Sequence, residues 1–122
     1  RVAAITTIYH PKAHADVIAT KFMKGGSTDE GFIPPEADLV SMYLDHVLEN
    51  DIGLGLAGEH GVPIYPSIRR ALHAGASELN VDAVLSIGEH GDYPTNALGQ
   101  TLSFKKLHNT FKLVVSLIYH CR

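Results

Sequence analysis

The sequence predicts an α/β domain: a doubly wound parallel sheet of about four strands, in the order 3-2-1-4, between two layers of helices. Three observations carry this. Apolar, β-branched runs alternate with stretches of helical periodicity four times along the chain, the pattern of parallel strands joined by crossover helices. The 122 residues suit one domain, expected to span 1–122, with chain enough to bury a core without disulfide or metal staples. Hydrophobic residues make up 45% of the chain and charged residues 19%, the balance of a globular protein rather than a disordered one.

The first strand is expected in "RVAAITTIY" (1–9), apolar nearly throughout, as in a strand covered on both faces. A helix comes next in "HADVIATKFM", where Ala15, Ile18, Ala19, Phe22 and Met23 recur at helical spacing and "KGG" is the stop. The turn-rich segment 25–37 is long for a loop inside a compact domain, which marks it as mobile or functional. Strand two is expected in "DLVSMYLD" (38–45). In 48–61, Leu48, Ile52, Leu56 and Ala57 suggest a second helix, weakened at Gly53 and Gly55 by about 1 kcal/mol each relative to alanine. "VPIYP" (62–66) reads as a short third strand with Pro63 at its start or on an edge, and "SIRRALHAG" as a compact helix capped by Ser67 and ended by Gly75. "VDAVLSIG" (81–88) is the fourth strand, and 104–120 place Phe104, Leu107, Phe111, Val114, Val115 and Ile118 on one face of a last helix.

Charge and cysteine content narrow the partners. A net charge of -3 lacks the basic surplus that phosphate neutralisation requires, so no nucleic-acid partner is expected. Cys121 is the sole cysteine, which rules out an intrachain disulfide and a thiolate-rich zinc site and points mildly to a reducing, cytoplasmic compartment. No apolar run is long enough to span a bilayer, and no signal-peptide pattern opens the chain, which starts at Arg1 and enters a strand at once. Because apolar residues wrap more of the last helix than one buried stripe needs, a homodimer through that helix is expected.

In the predicted topology strands one and four lie side by side, and a binding crevice opens at their carboxyl ends. Those ends run into "YHPKAHAD" and "GEHGDYP", so imidazoles and carboxylates from distant parts of the chain should face one another. His10 or His14 should come within reach of Glu89, His90 or Asp92. His10 and His14, four apart, would be neighbours on the first helical turn if that helix begins by Pro11. With Asp16 nearby, such a cluster suits zinc, iron or manganese in its donor types, with His10, His14, His90 and Asp92 as the candidates, although the spacing matches no recognised metal signature. The bland account of "GEHGDYP" is a turn: Gly88 and Gly91 supply permissive dihedrals, Asp92 caps and Pro94 ends it. Turn chemistry does not require Glu89, His90 and Tyr93, which makes a ligand-facing role for at least one of them the better account. His46, His60, His73 and His108 read as surface or helix-end residues.

"RVAAI", the acidic close of "MYLD", "LAGEHGVPIYPSIRRAL" and "VDAVLSIGEH", in this order, resemble the amino-terminal domain of the glucose-fructose oxidoreductase / inositol dehydrogenase (Gfo/Idh/MocA) family. The similarity covers about residues 1–90 and is most specific over 56–87. It implies a Rossmann-like three-layer fold, NAD or NADP as cofactor, and hydride transfer between a nicotinamide and a sugar-like alcohol. In that family a second domain carries the catalytic lysine and histidine; it has no counterpart within these 122 residues, so catalysis by this domain alone is not expected. Cofactor or ligand contacts are expected at Tyr9, His10, His14, Gly88, Glu89 and His90 from their place at the ends of strands one and four, and at Asp45 as the resemblance implies. Asp45, closing strand two, stands where a carboxylate accepts the ribose hydroxyls, or else is an exposed loop-starting aspartate. The sequence departs from the family at the glycine-rich turn: no glycine occurs before Gly25, and Tyr9, His10 and Pro11 would crowd a pyrophosphate. The rival expectation is therefore a ligand- or metal-binding module, or an interaction module, with the fold kept and the cofactor lost.

Overall fold

A computed structural model describes residues 1–89, 94–99, 119 and 120. The elements in chain order are β1 (Val2–Thr6), α1 (His14–Lys24), β2 (Gly26–Thr28), β3 (Gly31–Ile33), β4 (Leu39–Leu44), α2 (Gly53–Glu59), α3 (Ile68–His73), β5 (Ala83–Ile87) and β6 (Tyr119–His120). The main sheet runs β4-β1-β5-β6, and β1 is parallel to both β4 and β5. With a neighbour on each side, β1 is the best covered strand, and all five of its residues are buried. That is why its sequence carries no polar alternation. Ile5, Leu85 and Ile87 are 1%, 2% and 1% exposed. Each contributes about 1.5–3 kcal/mol by leaving water.

Alternate residues of the sheet face two cores. Ala4, Met42, Leu44, Leu85 and Ile87 pack with Ala15 and Ala19 of α1 and Ala57 of α2. Ala3, Ile5 and Val84 pack on the other face against Ala71 of α3, with Ile68 and Leu72 beside it. Ser41, fully buried on β4, donates its hydroxyl to the Ala71 carbonyl at 2.6 Å, tying α3 to the sheet. Ile18, Phe22 and Met23 of α1 rest against the first core, so all five residues of the expected stripe face inward. Gly25, at φ 80°, ends α1 and returns its N–H to the Lys21 carbonyl. Ser67 caps α3 by accepting the Arg70 N–H at 3.3 Å.

Several expectations change. The segment 25–37 is not a structureless loop: β2 and β3 form an antiparallel hairpin within it. Helix two starts at Gly53, not near Leu48, because the chain first turns to give the Ile52 N–H to the Tyr9 carbonyl at 2.8 Å. The stretch 62–66 supplies no strand and meets β4 in one parallel bridge, Met42↔Ile64. Pro63, which has no N–H to give, accepts from Met42, and the chain turns into α3 soon after. The last helix was expected to reach His120, but Tyr119 and His120 pair antiparallel with β5. An open strand edge offers two residues more backbone hydrogen bonds than a fraying helix end. The rest of that segment, and with it the expected dimer helix, lies outside the described residues. Among the described residues no helix is long and apolar enough to cross a membrane.

Candidate functional site

The carboxyl ends of β1, β4 and β5 lie together because the three strands run parallel in adjacent positions. The pairing continues past β1: the Asp45 N–H reaches the Thr6 carbonyl at 3.0 Å, the His46 N–H the Thr7 carbonyl at 2.8 Å, and the Thr7 N–H the Ile87 carbonyl at 3.2 Å. Thr7, 2% exposed, then pins the turn after β5. Its hydroxyl donates to the Glu89 carbonyl at 3.0 Å and accepts the Glu89 N–H at 2.7 Å. Sequence reasoning missed this threonine, since nothing local distinguishes it from Thr6.

So held, Glu89 sends its carboxylate to α1. Oε2 accepts the His14 backbone N–H at 2.7 Å and lies 3.0 Å from the His14 Nδ1. The two residues are 75 apart in sequence, and the meeting expected across the crevice is therefore present. The reason is the end of the helix. Ala13 occupies the N-cap position and has no side chain to cap with, so the first N–H groups of α1 are open to an acceptor. A carboxylate there satisfies a donor and complements the positive end of the helix dipole. The Glu89 side chain is 21% exposed and that of His14 56%, so the pair is accessible to a ligand.

The turn between β1 and α1 is built by a second carboxylate. Asp16 accepts the Lys12 N–H at 2.8 Å through Oδ2 and the Thr20 hydroxyl at 3.2 Å through Oδ1. Thr20 lies 2.7 Å from the Tyr9 hydroxyl. The turn passes through Lys12 at φ 68°, a left-handed conformation where glycine would be unstrained.

Of the expected site residues, His14 and Glu89 are brought together. Tyr9 is corrected: it is 1% exposed, packs in the first core and has its hydroxyl on Thr20, so its side chain presents nothing to the crevice. Burial, with the charges of Asp16 and Asp51 adding to it and the Thr20 hydrogen bond opposing it, pushes the Tyr9 phenol above its ordinary pKa of 10.0. His10 is corrected in part. Helix α1 starts at His14, so His10 lies in the preceding turn with Nδ1 2.9 Å from the Pro11 carbonyl, and the two histidines do not share a helical turn. Asp45 follows β4 as expected and accepts the Tyr43 hydroxyl at 2.6 Å. Burial first, then the hydrogen bond and charge of Asp45, push the Tyr43 phenol up to about 12. Gly88 has no positive φ and open space where a Cβ would stand, so the turn does not need its dihedral freedom. His90, Asp92 and Tyr93 lie outside the described residues.

Asp51 also escaped the sequence reading. Oδ2 accepts the Leu54 N–H at 3.0 Å at the start of α2, while Oδ1 is buried and makes no hydrogen bond among the described residues. An aspartate just before a helical stretch is a capping signal that could have found it. Among the described residues no group of three His, Cys, Asp or Glu side chains is placed to hold a metal ion.

These observations define an α/β domain with a parallel sheet and a polar junction at the carboxyl ends of its central strands. No family model, curated protein or solved structure matches the chain. The residues do not fit a dinucleotide pyrophosphate. Such a group would take the first N–H of α1, which the Glu89 carboxylate occupies, and like charges there oppose one another.

Proposed function

We propose that the chain is a Rossmann-like ligand-binding domain that takes a small polar, uncharged or cationic ligand at the carboxyl ends of β1 and β5. The observation that carries this reading is the Glu89 carboxylate on the His14 N–H and imidazole. It offers a ligand hydroxyl or ammonium an acceptor, and beside it an imidazole able to donate or accept. The same carboxylate opposes anions. This supports a module that has kept the α/β fold without the dinucleotide, and α1 and α2 packing on one face of the sheet with α3 on the other suits that fold.

A second reading has one observation in its favour. Asp45 follows β4, where a carboxylate would accept ribose hydroxyls, and it supports NAD or NADP binding by a relative of the Gfo/Idh/MocA oxidoreductases. Hydride transfer to or from a sugar-like alcohol would then need a further domain. This reading requires Glu89 to leave the α1 N–H.

Calorimetric titration of the parent and of Glu89→Gln with NAD(H), NADP(H), neutral polyols and divalent cations separates the two. The first reading expects polyol binding that Glu89→Gln weakens, and no nucleotide binding by the parent. Nucleotide binding by the parent that Asp45→Ala abolishes would replace it with the second.

A further inference from the structure

Around α3, away from the junction of β1, β5 and α1, a pocket of about 500 Å³ is lined by Tyr65, Ser67, Arg69, Arg70, His73 and Ser77. Every ionisable side chain on its wall is a base or a phenol, and no carboxylate lines it. That is unexpected in a chain of net charge -3. Arg69 and His73 are four apart on α3, and Arg70 is three from both Ser67 and His73, so the helix itself converges these groups. Among the described residues neither guanidinium has an ion-pair partner. The Ser67 oxygen already accepts the Arg70 N–H, which leaves its hydroxyl proton for another acceptor. Tyr65 is anchored by its N–H on the Met42 carbonyl at 2.8 Å and, partly buried, packs against the core that holds Ala71 of α3, which gives the pocket one wall.

We propose that this pocket binds a small organic phosphate, with Arg69 and Arg70 holding the phosphoryl oxygens and Tyr65 flanking the carbon skeleton. Two planar forks match the several oxygens and double charge of a phosphate monoester better than a single carboxylate. The volume lies within the range of about 300–1,000 Å³ usual for small-molecule sites and exceeds what inorganic phosphate alone would fill.

The test is a titration of the isotope-labelled chain with ribose 5-phosphate, inorganic phosphate and ribose, monitored by backbone amide shifts. Ribose 5-phosphate should give saturable shifts at Arg69, Arg70, His73 and Ser77, inorganic phosphate weaker ones at the same residues, and ribose none. The double variant Arg69→Gln, Arg70→Gln should weaken binding by at least about tenfold. Arg70→Lys, which keeps the charge and loses the fork, should fall between. Lys24→Gln, on α1, removes a charge elsewhere and should bind as the parent does; amide dispersion reports that each variant is folded. Absence of saturable shifts, shifts of equal size with ribose, or double-variant affinity within about twofold of the parent would overturn the proposal. Equal affinity for inorganic phosphate would overturn the role given to Tyr65.

Discussion

Two polar regions of this chain handle charge in opposite ways. Where β1, β5 and α1 meet, Glu89 is taken up by His14, and Asp16 by the Lys12 N–H and Thr20. Around α3, the Arg69 and Arg70 guanidiniums have no ion-pair partner among the described residues. Carboxylates that close a helix end and hold a turn do structural work whatever else they do, and their loss should cost stability. Guanidiniums without an ion-pair partner among the described residues should contribute little to folding that their removal would take away. The difference teaches that charge satisfied within the fold and charge left over from it make separable predictions.

The largest expected effect tests the packing behind the first region. A Cβ at Gly53 would lie 2.7–2.8 Å from atoms of the Tyr9 side chain, which is buried and cannot yield. Gly53→Ala should therefore destabilise by about 1–3 kcal/mol, read as a lower denaturant midpoint, despite the better helix propensity of alanine. An unchanged midpoint would show that Tyr9 is not held as described. Glu89→Ala should come next, at about 0.5–2 kcal/mol, because it strips the acceptor from the first N–H of α1. Faster amide exchange at His14 in this variant would tie the loss to that helix end.

Gly55 is the contrast within the same helix. Nothing stands within 4 Å of its added Cβ, so Gly55→Ala should stabilise by up to about 1 kcal/mol. A smaller effect still is expected around α3, where the double substitution Arg69→Gln, Arg70→Gln should change stability by less than about 0.5 kcal/mol. A loss as large as that of Glu89→Ala would erase the distinction between the two regions.

Alkaline titration adds a dependence on pH. Tyr9 and Tyr43 have phenols raised above 10.0 in the folded chain, Tyr43 to about 12. Between these values the unfolded chain loses those protons while the folded chain keeps them, so folding stability is full below pH 10 and falls as pH rises towards 12. Phenolate absorbance of the parent compared with Tyr9→Phe and Tyr43→Phe should assign late ionisation to both of these phenols in the native state and to neither after unfolding.

Much of the fold was legible because it rests on short-range pattern. The unbroken apolar run of β1, the stripe from Ala15 to Met23, the Ser67 cap and the Gly25 stop each depend on neighbours within a turn or a strand. The failures fall where local preference is weak. The 62–66 run is short and opens with a proline-limited edge, and Gly53, expected only to weaken the second helix, leaves room that the Tyr9 side chain fills. For the candidate site, parallel adjacency of β1 and β5 sufficed to bring the residues after them together, but not to say which side chain would face which.

By itself the sequence determined the mixed α/β class with its parallel strands, the buried faces of β1 and α1, and the gathering of polar residues past the ends of β1 and β5. Only the tertiary structure decided that Glu89 closes α1, that Tyr9 turns inward, and that Arg69, Arg70 and His73 share a pocket with Tyr65 and Ser77. Periodicity reports which face of an element avoids water, a property of residues a few positions apart. The partner of a given polar side chain is selected by packing between segments as far apart as 75 residues, and no local preference encodes that choice.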